Sequence, residues 1–310
     1  MDKDTKIATR QSFGEALKDL GEKNNSVVVL DADLAGATKT NIFGKAFPDR
    51  FFDMGIAEQD MISTAAGLAS CGKIPYAATF AVFATGRSYD QIRSSVCYPK
   101  ANVKICGTHA GVTVGEDGAT HQMLEDISLM RGLPNMTVLC TSDDTQTKWA
   151  VEEISKINGP VYLRLSRAAT PVIYEQDTKF EIGKMVQFGE GTKATVFATG
   201  AVVSEALEAQ EILAKEGIDI RVVDVHTIKP IDRETIIKCA NETEKLISIE
   251  DHSVIGGLGT AIAEVLTEEC PKKLVRMGMK DCFGKSGKAM ELLEYFGLVA
   301  NNIVEEVKKN

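Results

Sequence analysis

The sequence predicts an α/β protein in which a mostly parallel, doubly wound sheet is followed by a smaller α/β domain. Helical patterns alternate with short runs of β-branched residues along most of the chain, as they do in βαβ units. The chain has 310 residues, which exceeds one average domain of roughly 100–200 residues. The alternation is also interrupted once, after about Arg167. Two α/β domains therefore account for the whole pattern.

The first set of elements occupies the N-terminal half of the chain. Helical spacing of apolar residues indicates helices in the segments FGEALKDLGEKN, AEQDMISTAAGLASCG, RSYDQIRSSVCY and TQTKWAVEEISKING. Short apolar runs between them indicate strands in the segments SVVVLDAD, PYAATFAVF, NVKICGTHAG, MTVLCTS and PVYLRLS. We predict that residues 1–170 form one domain around a mostly parallel sheet.

The second set of elements begins after a polar segment, AATPVIYEQDTKFEIGKMVQFGEGTK, which contains one proline and several glycines. This composition predicts a linker over residues 171–191, with a hairpin within it. Strand and helix patterns then alternate again in the segments ATVFATG, VSEALEAQEILAKEG, DIRVVDVHTIKP, DRETIIKCANETEK, LISIEDH, GTAIAEVLTEEC, LVRMGMK and GKAMELLEYFG. They predict a small doubly wound domain over residues 192–310.

Composition and charge exclude several classes of protein. A net charge of -9 argues against nucleic acid as a partner, because phosphate binding needs clustered Lys and Arg. The start MDKDTKIATRQSF has no apolar signal region, and no window approaches the ~20 apolar residues of a membrane span, so we expect a cytoplasmic protein without a membrane partner. The seven cysteines are scattered and never form C-x-x-C, so neither a disulfide framework nor a zinc site is predicted.

Two glycine-rich segments imitate phosphate-binding motifs without matching them. IGGLGTAIAE at residues 255–264 has Ile262 in the place of the third glycine of a dinucleotide fingerprint, which favours a simple tight turn. GMKDCFGKS at residues 278–286 places five residues rather than four between its glycines. No G-x-S-x-G elbow is present, so a serine nucleophile is not indicated either.

The densest group of polar residues is GTHAGVTVGEDGATHQMLEDISLMR at residues 107–131, a glycine-rich loop after a predicted strand. It holds two of the four histidines, His109 and His121, with Glu116 and Asp117 between them. Loops at strand ends in open α/β sheets are where ligands bind. The spacing disfavours a metal site, because the histidines are not on adjacent turns and no thiolate pair completes a ligand shell. A polar substrate is the better interpretation.

Basic residues stand at several positions suited to a small anion, namely Arg10, Lys39, Arg164 and Arg167. A surface arginine is usually only a solvated charge. Arg167, however, follows a predicted strand and would lie at the carboxyl edge of the sheet. Its planar guanidinium suits bidentate recognition, so it is a candidate phosphate ligand.

The segments that carry these features resemble the transketolase family. DADL at 31–34, FPDRFFDMGIAEQ at 47–59, ATFAVF at 78–83, GEDGATHQ at 115–122 and LSR at 165–167 are similar, in order and spacing, to its pyrimidine-binding domain. TVFATGAVVSEAL, VVDVHTIKPID and EDHSVIGGLG resemble its C-terminal domain, so the likeness covers nearly the whole chain. The fold that it implies is a thiamine-diphosphate-binding domain of the pyrimidine type followed by a transketolase C-terminal domain.

The resemblance implies that the chain binds the pyrimidine end of thiamine diphosphate. Glu58 would donate a hydrogen bond to pyrimidine N1′, and burial among small apolar neighbours such as Ile56 would favour the neutral acid that this needs. Phe80 and Phe83 would clamp the ring, and Asp33 would lie near the thiazolium. Taken alone, these residues are also explained as a first-turn helix acid, two strand core residues and a turn residue.

The resemblance also implies a sugar-phosphate site. Arg10, His109 and Arg167 would bind the phosphate, and Asp117 would bind a substrate hydroxyl. His121 would contact a hydroxyl or take part in proton transfer, which makes it, with Glu58, a candidate catalytic residue.

Two positions depart from the family pattern. Many relatives have a third aromatic residue where this sequence has Gly86, so part of the wall around the ring is missing. Family members commonly have serine where this sequence has Ala37, which removes one phosphate hydrogen bond unless Thr38 replaces it.

One family feature lacks a counterpart in this sequence, the Gly-Asp-Gly segment with its later Asn that holds the diphosphate. The resemblance therefore implies the C-terminal subunit of a split bacterial transketolase. We expect no metal on this chain, Mg²⁺ or Ca²⁺ on an N-terminal partner subunit, and an α2β2 heterotetramer. The complex would transfer a two-carbon ketol unit from a ketose such as xylulose 5-phosphate to an aldose such as ribose 5-phosphate, in the pentose phosphate pathway.

Three other functions stay open at this point. A 1-deoxyxylulose-5-phosphate synthase shares GIAEQ and DGxTHQ, although Glu116, the TFAVF pair and Arg10 favour transketolase. The β subunit of a 2-oxoacid dehydrogenase is a weaker alternative, because it lacks this run of sugar-phosphate residues. A noncatalytic partner or regulatory chain is the third, although the candidate acid, ring clamp and phosphate residues are all present together.

Overall fold

The computed structural model describes residues 2–309. Its strands, in chain order, are β1 (Asp2–Ala8), β2 (Val27–Asp31), β3 (Phe51–Asp53), β4 (Ile74–Phe80), β5 (Lys104–Thr108), β6 (Thr137–Cys140), β7 (Val161–Arg164), β8 (Ala169–Val172), β9 (Val186–Phe188), β10 (Ala194–Thr199), β11 (Ile220–Asp224), β12 (Thr227–Lys229), β13 (Lys245–Ser253) and β14 (Leu274–Met279).

The helices, again in chain order, are α1 (Thr9–Lys23), α2 (Ala35–Thr38), α3 (Asn41–Ala46), α4 (Glu58–Ser70), α5 (Tyr89–Gln91), α6 (Asp126–Arg131), α7 (Asp144–Ile154), α8 (Val203–Lys215), α9 (Arg233–Glu242), α10 (Leu258–Glu269), α11 (Ala289–Tyr295) and α12 (Ala300–Lys308). Two π-helical segments, Val82–Arg87 and Ile92–Cys97, follow β4. Three short 3₁₀ turns lie at Pro48–Arg50, Val112–Asp117 and Gly200–Val202.

The first large sheet has seven strands in the order β12-β6-β7-β5-β4-β2-β3. All neighbours run parallel except β12, which is antiparallel to β6. Every residue of β2, β5 and β7 is buried, as expected for parallel strands covered on both faces. Successive residues of β2 alternate between two apolar clusters, so the sheet has one core on each face.

The second large sheet has five strands in the order β14-β13-β10-β11-β9, and only β9 runs antiparallel to its neighbour. Alternate residues of β10 and β11 again enter two different apolar clusters. The predicted class, an α/β protein with parallel-dominated sheets, is therefore confirmed.

Three features of the strands differ from the prediction. The predicted hairpin in the linker is wrong, because β8 pairs with β1 and β9 pairs with β11. The segment PYAATFAVF is not one strand, since β4 ends at Phe80. β12 joins the first sheet although it lies at 227–229, far along the second set of elements.

The topology brings one set of loops together. β2, β4, β5 and β7 are parallel neighbours, with Phe80 opposite Thr108 and Gly107 opposite Arg164. The segments that follow these strands therefore leave the sheet along one carboxyl edge, where open α/β sheets bind ligands. Within residues 2–309, no helix is both long enough and apolar enough to cross a membrane.

Candidate functional site

The centre of the carboxyl edge is a stack of rings built from the ends of two neighbouring strands and the segment that follows one of them. Phe80 is the last residue of β4, Phe83 lies in the π-helical segment after it, and His109 directly follows β5. The Phe80 ring stacks on the His109 ring with centroids 3.8 Å apart and on the Phe83 ring at 5.9 Å. His121 meets the Phe83 ring edge-on at 5.6 Å. Four predicted site residues thus form one contiguous group.

His109 is held in a buried and unusual conformation. Its φ of 57° lies in the left-handed region, and only 2% of its surface is exposed. Its Nδ1 lies 2.9 Å from the Thr108 hydroxyl, and its Nε2 lies 3.5 Å from Arg10 Nη1. Burial, reinforced by the charges of Arg10 and Arg167, lowers the pKa of His109 to about 3. The ring is therefore neutral at physiological pH.

Two arginines converge beside His109. Arg10, at the start of α1, donates to the carbonyl of Ala37 at 2.8 Å, while its buried Nε has no hydrogen-bond partner among the described residues. Burial, and next the charge of Arg167, lower the pKa of Arg10. Arg167 donates to the carbonyl of Val114 and to Glu116 Oε2 at 3.2 Å. Two like charges brought together with an unused donor form a site suited to a small anion.

Glu58 is the first residue of α4, and its side chain is only 2% exposed. The surroundings differ from the apolar pocket that the sequence predicts, since Ile56 is 77% exposed. Arg87 Nη1 lies 2.8 Å from both carboxylate oxygens of Glu58. In this arrangement both carboxylate oxygens of Glu58 are therefore paired with an opposite charge.

Arg87 also connects Glu58 to the rings. Its guanidinium lies 4.6 Å from the centre of the Phe83 ring, within the range of a cation–π contact. A continuous line of contacts therefore runs from Glu58 through Arg87, Phe83 and Phe80 to His109. Arg87 is not among the site residues predicted from the sequence, and only its place four residues after Phe83 could have indicated it.

The remaining predicted site residues, Asp33 and Asp117, are both exposed at the rim of this edge. Asp33 follows β2 with a φ of 61°, and its amide donates to Asp53 Oδ1 at 3.1 Å. Asp117 ends the turn Val112–Asp117, close in sequence to Glu116. The turn role that the sequence leaves open for Asp33 thus has direct geometric support.

Both departures from the family pattern have a structural account. Ala37 contributes its carbonyl oxygen to Arg10 rather than a side-chain hydroxyl. The suggestion that Thr38 replaces the missing hydroxyl is wrong, because Thr38 is fully buried and donates to Asp31 Oδ2 at 2.7 Å. Gly86 is exposed, and a Cβ built there meets no atom within 4 Å, so the structure leaves room for a side chain at this position.

The sequence predicts Arg164 as a candidate anion ligand, and this prediction is wrong because Arg164 is buried and already paired. Its guanidinium is 6% exposed and donates from Nε to Asp126 Oδ2 at 2.8 Å. Its Nη2 donates to the main-chain oxygen of Asp251 at 2.9 Å. Arg164 therefore belongs to the contact between the two sheets rather than to the anion site. Among residues 2–309, no group of three or more His, Cys, Asp or Glu is placed to hold a metal ion.

Comparison with known families matches both halves of the chain. Residues 5–172 match the pyrimidine binding domain of transketolase, and residues 183–303 match the transketolase C-terminal domain. Rat transketolase is 39% identical across 98% of this chain, which spans only 49% of the length of that protein.

Several relatives are similar over their whole length. A protein of Methanocaldococcus jannaschii, described by its name as a transketolase C-terminal section, is 52% identical over 97% of this chain and 96% of its own. A 6-deoxy-6-sulfo-D-fructose transketolase subunit of a Clostridium species is 43% identical over 95% of this chain and 92% of its own. A solved structure described as a split gene transketolase, inactive beta4 tetramer, is 51% identical with a TM-score of 0.91 and covers 97% of both chains.

Proposed function

This chain belongs to the transketolase family, and we propose that it is the C-terminal subunit of a two-chain transketolase that transfers a two-carbon ketol unit between sugar phosphates. One observation carries the proposal: Arg10 and Arg167 converge on the neutral His109 ring directly beside the stacked Phe80 and Phe83. An anion site next to an aromatic platform suits a phosphorylated sugar that reacts beside a bound heteroaromatic cofactor.

The residues of this chain fit the pyrimidine end of thiamine diphosphate. Phe83 offers a half-buried aromatic face, and Glu58 supplies a carboxylate at the N-terminus of α4. The bound cofactor would supply a carbanion at its thiazolium carbon. Glu58 would hold a proton at the pyrimidine ring, which requires Arg87, whose side chain is 46% exposed, to turn away from the carboxylate.

The substrate end of the site would be formed by the anion group. Arg10 and Arg167 would bind the phosphate through charge-assisted hydrogen bonds, and His109 would add a neutral contact. Asp117 and Asp33, both exposed at the rim, would meet substrate hydroxyls and the far side of the cofactor respectively. His121, edge-on to Phe83, would contact the substrate hydroxyl that gains or loses a proton.

We propose that a second chain completes the site. This chain matches only two transketolase domains and spans about half of the rat enzyme. The partner would carry the diphosphate and its Mg²⁺ or Ca²⁺, in a cytoplasmic α2β2 heterotetramer serving the pentose phosphate pathway. The relative described as an inactive beta4 tetramer supports the need for a partner, since that form contains one kind of chain.

The decisive experiment is reconstitution. This chain is mixed with a candidate N-terminal chain, thiamine diphosphate and Mg²⁺, and ketol transfer from xylulose 5-phosphate to ribose 5-phosphate is measured. We expect turnover only when both chains are present. Activity of this chain alone would contradict the split-subunit proposal, and condensation of pyruvate with glyceraldehyde 3-phosphate in place of ketol transfer would indicate a deoxyxylulose-phosphate synthase instead.

A second substrate class has support from one relative, the subunit named for 6-deoxy-6-sulfo-D-fructose. A sulfonate is also an anion, and Arg10 and Arg167 would bind it in the place of a phosphate. The same reconstituted complex should therefore be assayed with 6-deoxy-6-sulfo-D-fructose as donor. A higher kcat/KM for the sulfonated ketose than for xylulose 5-phosphate would reassign the donor while leaving ketol transfer intact.

A further inference from the structure

The loop that carries His109 and His121 is held by a residue from the other large sheet. The helical turn Val112–Asp117 follows Gly111, which has no side chain with which to cap it. The first N–H groups of a helical turn need acceptors from elsewhere. In this protein the acceptor is Asp251, near the carboxyl end of β13.

Three donors of the loop converge on the Asp251 carboxylate. The Val112 amide donates to Oδ1 at 2.8 Å, the Thr113 hydroxyl donates to Oδ2 at 3.1 Å, and the Thr113 amide lies 3.4 Å from Oδ2. Asp251 is 2% exposed, and this burial raises its pKa while the three donors and Arg164 oppose the rise. A buried carboxylate is costly unless its oxygens are satisfied, and here both oxygens are satisfied by the loop.

Asp251 lies so close to the loop that no side chain fits at Gly111. A Cβ at Gly111 would lie 2.0 Å from Asp251 Oδ2, and the φ of Gly111 is 81°. Both the space and the backbone conformation therefore require glycine at this position. The turn therefore packs directly against the Asp251 carboxylate.

The same segment also supplies the hydrogen-bond acceptors of Arg167. The carbonyl of Val114 and, beyond a kink at Gly115, the carboxylate of Glu116 accept from the Arg167 guanidinium. On the other side, the main-chain oxygen of Asp251 accepts from Arg164, which lies three residues before Arg167 in the chain. A displacement of the turn would therefore move the partners of an arginine in the proposed phosphate site.

We propose that Asp251 is a positioning residue, through which the C-terminal domain fixes the turn Val112–Asp117 and so shapes the sugar-phosphate site. This inference rests on the proposed function, because it concerns the substrate affinity of the same site. Asp251 acts through Val112 and Thr113 and does not itself touch the substrate.

The test uses the reconstituted two-chain complex with thiamine diphosphate and Mg²⁺. Asp251→Asn keeps the shape of the side chain but replaces one acceptor oxygen by a donor. We expect KM for ribose 5-phosphate to rise about tenfold or more, with kcat changed less than about threefold, because binding geometry rather than proton transfer is disturbed. Thr113→Val, which removes one donor from the loop side, should raise KM in the same direction by a smaller factor.

The matched control is Glu264→Gln. Glu264 in α10 accepts from Arg131 Nη2 at 2.6 Å, so it joins the same two parts of the protein away from the loop. We expect its KM to equal that of the unmodified complex. An equal rise in KM for Asp251→Asn and Glu264→Gln would mean that any contact between the two parts matters, and would overturn the positioning role.

A second readout does not depend on turnover. Hydrogen exchange of the Val112 and Thr113 amides should speed up in Asp251→Asn and stay unchanged in Glu264→Gln. An unmodified complex that transfers no ketol unit would refute the proposed function, while the exchange rates would still decide whether Asp251 holds the turn. An active complex in which Asp251→Asn leaves both KM and the exchange rates unchanged refutes the positioning role alone. If Asp251→Asn does not fold, Thr113→Val supplies the same comparison.

Discussion

Glu58 has two different partners, a cation in the structure and a pyrimidine in the proposed function. The Arg87 contact explains how a carboxylate with 2% exposure is tolerated in the interior. Arg87 is half exposed, so exchanging it for a ligand would leave no buried charge without a partner. The proposed role of Glu58 therefore requires that the cofactor replace Arg87 as the partner of its carboxylate.

Replacing Glu58 by glutamine tests its proposed role at the residue scale. Glu58→Gln is nearly isosteric but cannot act as an acid, so we expect ketol transfer by the reconstituted complex to fall by about 100-fold or more. The matched control is Asp60→Asn, which changes the other acid in the first turn of the same helix and should retain activity. Circular dichroism should show that both variants are folded, and full activity of Glu58→Gln would remove Glu58 from the mechanism.

The low pKa of His109 predicts that the stability of the protein depends on pH. Its pKa in the folded protein is about 3, below its ordinary value of 6.5, so the unfolded chain binds more protons between these values and stability falls as the pH is lowered. Between pH 7 and pH 5 this residue alone should lower the free energy of unfolding by about 2 kcal/mol.

Urea unfolding of the unmodified chain and of His109→Gln measures this contribution. The loss of stability from pH 7 to pH 5 should be smaller in the variant. Between pH 7 and pH 8, the free energy of unfolding should change by the same amount in both proteins. An equal loss of stability in both proteins between pH 7 and pH 5 would show that His109 becomes protonated in the folded state as readily as in the unfolded chain.

At the scale of elements, the segment after β4 decides the shape of the aromatic platform. Residues three apart in a strand point to opposite faces of the sheet, so Phe80 and Phe83 could not stack if the strand continued. β4 and its partner β5 end together, at the paired residues Phe80 and Thr108. The π-helical segment Val82–Arg87 then returns Phe83 to the side of Phe80, with the two ring planes 11° apart.

The start of α7 gives a prediction about stability at the same scale. Asp143 caps this helix by accepting from the Gln146 amide at 2.8 Å, and it also accepts from the Ile173 and Tyr174 amides at 2.8 and 2.9 Å. Asp143→Ala removes the cap and leaves two further amides without their acceptor, so it should lower the free energy of unfolding by about 2–4 kcal/mol.

Urea unfolding measures this loss against Asp177→Ala, which changes an exposed acid in the neighbouring turn. The control should remain within about 0.5 kcal/mol of the unmodified chain. A similarly small effect of Asp143→Ala would show that water replaces the carboxylate at all three amides.

At the scale of the whole molecule, the two large sheets are interlocked rather than merely adjacent. β12 pairs with β6 of the first sheet, and the Cys140 amide donates to the carbonyl of His226 at 2.9 Å. Asp224, the last residue of β11, accepts from Ser142 and Gln146 of the first part at 2.9 Å. Burial raises the pKa of Asp224 to about 6, which reflects how completely this contact excludes water.

We therefore expect the chain to unfold in a single transition. The one tryptophan, Trp149, lies in α7 and contacts His226 with ring centroids 5.1 Å apart, so its fluorescence reports on the contact between the two parts. Urea unfolding followed by Trp149 fluorescence and by far-ultraviolet circular dichroism should give coincident curves.

A control variant sharpens this test. Asp224→Asn should move the midpoints of both curves to lower urea together, whereas Asp219→Asn, at an exposed position nearby, should move neither. A fluorescence transition that precedes the loss of helical signal would show that the parts separate before either unfolds.

The α/β class, the alternation of strands and helices and the resemblance to transketolase could all be predicted from the amino-acid sequence, and all three are confirmed. These features depend on periodicities of 3.6 and 2 residues and on short motifs, which are local along the chain. Five predicted site residues (Glu58, Phe80, Phe83, His109 and Arg167) could be placed in the same way, because they follow strands of the parallel sheet and the ends of such strands share one edge, although their roles stay predictions.

The partners of these residues could not be predicted from the sequence and are known only from the folded structure. The Arg87 contact with Glu58 joins residues 29 positions apart, and the Val112 contact with Asp251 joins residues 139 apart. The pairing of β12 with β6 of the first sheet likewise joins residues that are far apart in the sequence. Such contacts depend on how distant surfaces pack and which buried charges they satisfy, and no local pattern in the chain encodes that balance of desolvation and pairing.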